Sequence, residues 1–280
     1  MARLKIDKEL KKKIIDARRM IEAVVKADGN EAETRRRVER IFESVMGYDA
    51  LVHLSRERTI KGAGETEHVD FVIQFEPGPD AEPIIMVELK RAGVDLALKH
   101  LKQVSSYAID SGCEWVLLTN GRDWKLYHVE FGQPPITKLI EQWNLMNDDV
   151  AELAAKFELI SYKSIKRGSL NKLWEKTTVL STNSLLSSLL SPETIRTMRR
   201  ILRKNTGVIV DPDDLINGFR KLLNENAAIE LSKLKDGFGA VRKKHGKKGS
   251  QDSTSLSEQC DKKDESLSIG GEKDEGTIEL

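Results

Sequence analysis

Two hydrophobic periods divide the chain. Residues 4–27 place Leu4, Ile14, Ile15, Met20, Ile21 and Val24 among many Lys and Arg, which predicts a basic amphipathic helix. Asp28-Gly29-Asn30 breaks it, and Asn30 is placed to cap the next helix. That helix runs from Glu31 to Met46, with Val38, Ile41, Phe42 and Val45 as one apolar stripe, and stops at Gly47. A first strand is expected near Ala50–Leu54, then a polar, glycine-containing loop over Ser55–Glu67. The period then shortens. HVDFVIQF (68–75) and PIIMVELK (83–90) are short, rich in Val, Ile and Phe, and separated by a Pro- and Gly-containing link, as two paired strands would be. A helix over Asp95–Asp110 turns Leu98, Leu101, Val104 and Ala108 to the sheet, and Lys99, Gln103 and Tyr107 form a second, polar stripe. EWVLLTN (114–120) reads as a buried strand, Asn120-Gly121 as a turn and DWKLYHVE (123–130) as the returning strand. Apolar strands need cover on both faces, so the fold class is α/β, a mixed sheet flanked by helices.

The second half is helical. Glu141 to about Lys166 carries Val150, Leu153, Phe157 and Ile160 as a packing stripe. A helix begins at Ser191-Pro192, with Pro at its first position, and ends at Asn205-Thr206-Gly207; another starts at Asp211 or Pro212. The expected organisation is a domain over 1–165, a small helical region over 166–244 suited to dimerisation or subunit docking, and a tail over 245–280. The tail is dominated by Gly, Ser, Lys, Asp and Glu, cannot bury a core, and is expected to be disordered.

Charge narrows the partners only a little. The 280 residues sum to +1, but 246–280 carry net −4, so the rest stands at +5. A mildly basic body permits DNA binding without demanding it. The basic helix at 4–27 and the run RRILRK are each either a solvated face or a DNA contact. Cys113 and Cys260 are far apart with no Cys/His cluster, which argues against disulfides or zinc. No signal peptide or membrane span is apparent, so no membrane partner is expected and the cytoplasm is the default. The GAGET of the loop is not followed by Gly-Lys-Ser/Thr, and no nucleotide-binding P-loop occurs elsewhere.

The chemistry concentrates between His68 and Lys90. Side chains alternate along a strand, so Glu88 and Lys90 project to one side; antiparallel pairing brings Asp70 to the same end. Two carboxylates and an ammonium then meet at the edge of an apolar sheet. Paired hard oxygens suit Mg²⁺, and the lysine could hold a water or the charge growing on a phosphate. The alternative is that these are ordinary solvated charges at strand ends.

Asp70 followed about eighteen residues later by Glu-x-Lys resembles the active site of the PD-(D/E)XK nuclease superfamily. The stretch from about Asn30 to Glu130 resembles, more narrowly, the N-terminal nuclease domain of type I restriction enzyme R proteins. The pieces that match are EAETR (31–35), GYD (47–49), HVDF, VELK, QVSSYA (103–108) and LLTNGRDWKLY (117–127). The resemblance implies a restriction-endonuclease-like sheet and a Mg²⁺-dependent deoxyribonuclease, with Mn²⁺ able to substitute, leaving a free 3′ hydroxyl. It implies Asp70 and Glu88 as metal ligands, joined by the Leu89 carbonyl, and Lys90 as the catalytic lysine. Gln103 and Tyr107 become the helix residues that face the active site and DNA. Glu31, or alternatively Glu33, becomes the extra acid of the first helix. Arg58, Arg91 and Lys99, together with Arg56, Lys61 and Lys102, are the nearby cations available to DNA phosphates. The family's full-length R proteins continue into a helicase motor, which these residues do not include. The partners expected are DNA and either restriction or helicase subunits or a second copy of the chain. The competing reading is a catalytically silent DNA- or subunit-binding module of the same fold.

Overall fold

A computed structural model describes residues 8–61, 66–78, 80–223, 229 and 277–279. The side chains of residues 57–61, which include Arg58 and Lys61, fall outside the described ones. So does the expected tail, apart from residues 277–279. The chain divides into two compact units, one of residues 1–174 with 273–280, the other of residues 175–272.

The first unit is built on a mixed sheet. Helices α1 (Lys8–Lys26) and α2 (Glu31–Ser44) precede strands β1 (Leu54–Lys61), β2 (Thr66–Ile73) and β3 (Ile85–Leu89). Helix α3 (Leu98–Asp110) then leads to β4 (Trp115–Thr119), β5 (Asp123–Glu130) and β6 (Ile136–Asn144). Helices α4 (Val150–Leu159) and α5 (Tyr162–Ile165) follow, and β7 (Thr277–Glu279) completes the described sheet. The strands lie in sequence order, β1 to β7. All neighbours are antiparallel except β3 and β4, which are parallel. A parallel pair needs a crossover, and α3 supplies it.

Two hydrophobic clusters clamp the sheet. Phe42, Phe71, Trp124 and Phe157 belong to the cluster shared with α1, α2 and α4. Val72, Met86, Val116 and Leu118 pack with Leu101, Val104 and Ala108 of α3 in the other. β4 is buried at all five positions, which explains why WVLLT is continuously apolar. The Asn120-Gly121 turn has Gly121 at φ +82°, and a Cβ there would come within 2.7 Å of Ile21 Cδ1 of α1. Glycine is needed for both reasons.

Several expectations change. The strand expected near Ala50–Leu54 is a turn over residues 50–53, and strand begins only at Leu54. The polar segment 55–61 is strand, because β1 is an edge strand paired to β2 from Leu54↔Ile73 to Lys61↔Thr66, and an edge tolerates charge. Ile136–Asn144 is strand β6, so the segment expected to be helical from Glu141 yields a helix only from Val150. Leu98 is 51% exposed rather than turned to the sheet, since α3 starts with it and its packing face begins at Leu101.

The described part of the second unit is helical. Helix α6 (Ser169–Val179) runs into it from the first, and α7 (Thr182–Leu189), α8 (Pro192–Thr206) and α9 (Pro212–Leu222) follow. Proline opens α8, and Gly207, at φ +74°, closes it. Ile195, Ile216 and Phe219 form its small core, with Leu189, Leu190, Met198 and Leu215 around them. Among the described residues no helix is long and apolar enough to cross a membrane.

Candidate active site

The register of β2 with β3 pairs Phe71 with Val87 and Val72 with Met86, so one further step sets Asp70 opposite Glu88. Ile85, Val87 and Leu89 pack in the first cluster and Met86 in the second, so Glu88 shares the α3 face of the sheet. A side chain ties the two strands here: the Leu89 N–H donates to Asp70 Oδ2 at 2.8 Å. A cleft of about 420 Å³ opens at this point, lined by Glu31, Arg35, His68, Val69, Asp70, Glu88, Lys90 and Gln103.

Helix α2 brings its first turn to this cleft through two local devices. Asn30 accepts from the Glu33 N–H at 2.9 Å, while Glu33 Oε2 accepts from the Asn30 N–H at 3.1 Å. This capping box employs Glu33 in starting the helix and leaves Glu31 as the acid that faces the cleft. Thr34, fully buried, accepts from the Ala92 N–H at 3.0 Å and donates to Asn30 O at 3.1 Å. It therefore fastens the start of α2 to the turn just beyond Lys90.

Each carboxylate of the pair carries a cation of the protein. Lys90 Nζ donates to Glu88 Oε1 at 2.5 Å, and Arg35 Nη2 donates to Asp70 Oδ1. Arg35 also lies 4.0 Å from Glu31 Oε1, one helical turn before it. The Glu88 side chain is 3% exposed. Burial pushes its pKa up to about 7, against the pull of Lys90 and with help from the charges of Asp70 and Glu31. Burial is the largest influence on Lys90 and acts to lower it, but the bond to Glu88 together with the charges of Glu88, Glu31 and Asp70 raises it overall.

Asp70, Glu88, Lys90, Gln103 and Glu31 are thus brought together. Gln103 stands exposed on α3 and donates to the Tyr107 hydroxyl at 2.9 Å. Tyr107 is itself 2% exposed within the second cluster, so it orients Gln103 and does not line the cleft. Arg91 pairs with Asp28 at 2.7 Å, beside the α1–α2 junction, and is not part of the cleft wall. Lys99 and Lys102 are exposed on α3, and Arg56 pairs with Glu39. Arg35 and His68 were missed by sequence reasoning. Arg35 had a readable signal in its position four residues after Glu31, on the same helical face.

The residues present fit a hard divalent metal. Among the described residues no three His, Cys, Asp or Glu side chains converge as a ready cage. Mg²⁺ asks less of a protein: one or two carboxylates, with water and phosphate oxygens completing its shell. Asp70 and Glu88, with the Leu89 carbonyl between their strands, would hold it. A larger cavity of about 640 Å³ carries Glu76, Glu82 and Glu114 among apolar residues such as Phe75, Pro83 and Trp115, but among the described residues no lysine, arginine or histidine lines it.

The sheet, its crossover helix and this cleft make up an α/β domain. Residues 30–141 match the family model described as the type I restriction enzyme R protein N terminus. The match begins at the cap of α2, ends within β6 and contains every residue of the cleft. No curated protein matches the chain. Among solved structures it is similar to a chain of the DrdV–DNA complex seen by cryo-EM, at 14% identity and a TM-score of 0.38. That alignment covers 73% of this chain and 20% of the other, so this chain spans about a fifth of its length.

Proposed function

We propose that the cleft hydrolyses phosphodiester bonds of DNA with a divalent metal, Mg²⁺ or Mn²⁺, in a restriction or DNA-processing setting. The observation that carries this reading is the meeting of Asp70 from β2, Glu88 and Lys90 from the end of β3, Glu31 from α2 and Gln103 from α3 in one open cleft. The matching family stretch contains all five. When bound, the metal supplies a water of lowered pKa and a Lewis acid for the scissile phosphate. The chain's own residues do the rest. Asp70 and Glu88 give the negative charge that binds the cation, the former held in place by the Leu89 N–H. Lys90 leans on Glu88 and offers its ammonium to the attacking water or to the charge that grows on the phosphate. Gln103, steadied by Tyr107, gives a neutral donor to the cleft from α3. Exposed Lys99 and Lys102 are available to the DNA backbone.

One observation favours the silent-module reading: both carboxylates already carry a protein cation. The two readings part in one experiment. Supercoiled and linear DNA are incubated with the full chain in Mg²⁺, in Mn²⁺ and in a chelator, and retention of uncut DNA is followed in parallel. Cutting that needs the metal supports the nuclease. DNA retained but intact under every metal condition would instead establish a binding module.

A further inference from the structure

Asp70 has both oxygens engaged, by two very different donors. Oδ2 accepts from the Leu89 N–H, a backbone group of β3 at a position paired with Thr119 of β4. Oδ1 accepts from Arg35, a long side chain rooted one turn inside α2 and still 25% exposed to the cleft. A cation that takes Asp70 as ligand must share or win Oδ1, because the backbone donor cannot move without opening the sheet. Arg35 can move. Its side chain has several rotatable bonds, and Glu31, an acid 4.0 Å from it, stands in the same cleft.

We propose that Arg35 is the built-in rival of the metal. In the metal-free protein its guanidinium neutralises Asp70 and keeps two facing carboxylates from repelling each other. A divalent cation displaces it from Oδ1, and the released guanidinium stays in the cleft as a donor for a DNA phosphate. Guanidinium and phosphate match as planar fork and multiple acceptor oxygens, so the displaced group gains a strong additional acceptor when DNA is present. Metal and DNA binding are thereby coupled through one side chain, and the coupling is reciprocal. This inference rests on the proposed metal-dependent reading of the cleft and adds to it a residue that gates metal occupancy.

The test reads binding rather than cutting. Mn²⁺ affinity is measured by titration calorimetry, without DNA, for the full-length chain and for Arg35→Gln, Arg35→Ala, Arg35→Lys and Asp70→Asn. Removal of the rival charge tightens Mn²⁺ binding about tenfold in Arg35→Gln and Arg35→Ala, the low end of what one adjacent opposite charge does to a carboxylate. Arg35→Lys keeps the charge and stays near the parent value. DNA retention in Ca²⁺ supplies the second arm: the gain in DNA affinity on adding Ca²⁺ shrinks in Arg35→Gln. Arg35→Gln preserves most of the side-chain volume and serves if the alanine variant does not fold. Mn²⁺ affinity that is unchanged or weaker in Arg35→Gln, with Asp70→Asn still abolishing binding, overturns the rivalry and leaves the metal site standing. No Mn²⁺ binding by the parent chain, or binding untouched by Asp70→Asn, overturns both.

Discussion

Glu88 is a carboxyl that the fold has moved into the neutral pH range. Its pKa is near 7 in the folded chain because burial opposes its charge, against about 4.5 when exposed. Between those values the folded state holds the proton that the unfolded state has lost. Its contribution therefore favours folding at low pH and is lost as pH rises to about 7. Glu88→Gln removes this penalty. The melting temperature of Glu88→Gln minus that of the parent is expected to grow from pH 5 to pH 8 in metal-free buffer, and a constant difference would mean that Glu88 titrates normally. Metal affinity of the parent should rise across the same interval, since a cation takes the ionised carboxylate. At this scale the sequence was legible where alternation decided the matter. Asp70, Glu88 and Lys90 follow from two strands and an antiparallel link. It was not legible for Tyr107, which spacing along α3 put on a polar stripe with Lys99 and Gln103. The phenol ring is instead buried, and only its hydroxyl reaches back to Gln103.

Helix α2 places Glu31 and Arg35, and one hidden side chain sets its position. Thr34→Val keeps the shape but leaves the Ala92 N–H buried without its acceptor, a cost of about 1–3 kcal/mol. A matching fall in the urea midpoint at unchanged slope is the expected result, and an unchanged midpoint would show that the turn after Lys90 finds another acceptor. Elements with a clean period were readable: α2, α3, β4, β5, α8 and α9 lie where their apolar positions and caps put them. Two were not. β1 is charged because it lies at the sheet edge, where charge protects against unwanted pairing, so it lacks the apolar run that marks a strand. In β6, Ile136, Leu139, Ile140 and Trp143 also fit a helical stripe, and its pairing with β5 across a shifted register decides for strand.

Over the whole molecule, two compact units each keep a core of their own. Among the described residues of the helical unit, Ile195, Ile216 and Phe219 are buried at the centre of a small core. Phe219→Ala is expected to cost about 3 kcal/mol there. Hydrogen exchange should then lose protection in α8 and α9 while β3, β4 and β5 keep theirs; equal loss in both would show that the units unfold together. Helical content in this unit was readable from caps and prolines. Its partner was not, because α8 carries Arg196, Arg200, Arg203 and Lys204 exposed on one side, which suits solvent as well as phosphate. The region of the cleft was legible as a whole because its chemistry is ordered along the chain as strand, turn, strand and helix.

The central claim is that Asp70, Glu88 and Lys90 act as one metal-dependent cutting site. Single-turnover cleavage of DNA in Mg²⁺ by the parent chain and by Lys90→Ala, with Mn²⁺ and DNA binding measured on the same samples, tests it most directly. The account expects Lys90→Ala to bind both and to cut at least about 10²–10³-fold more slowly, the usual loss for one preorganised electrostatic group. Cleavage by Lys90→Ala at the parent rate would contradict it.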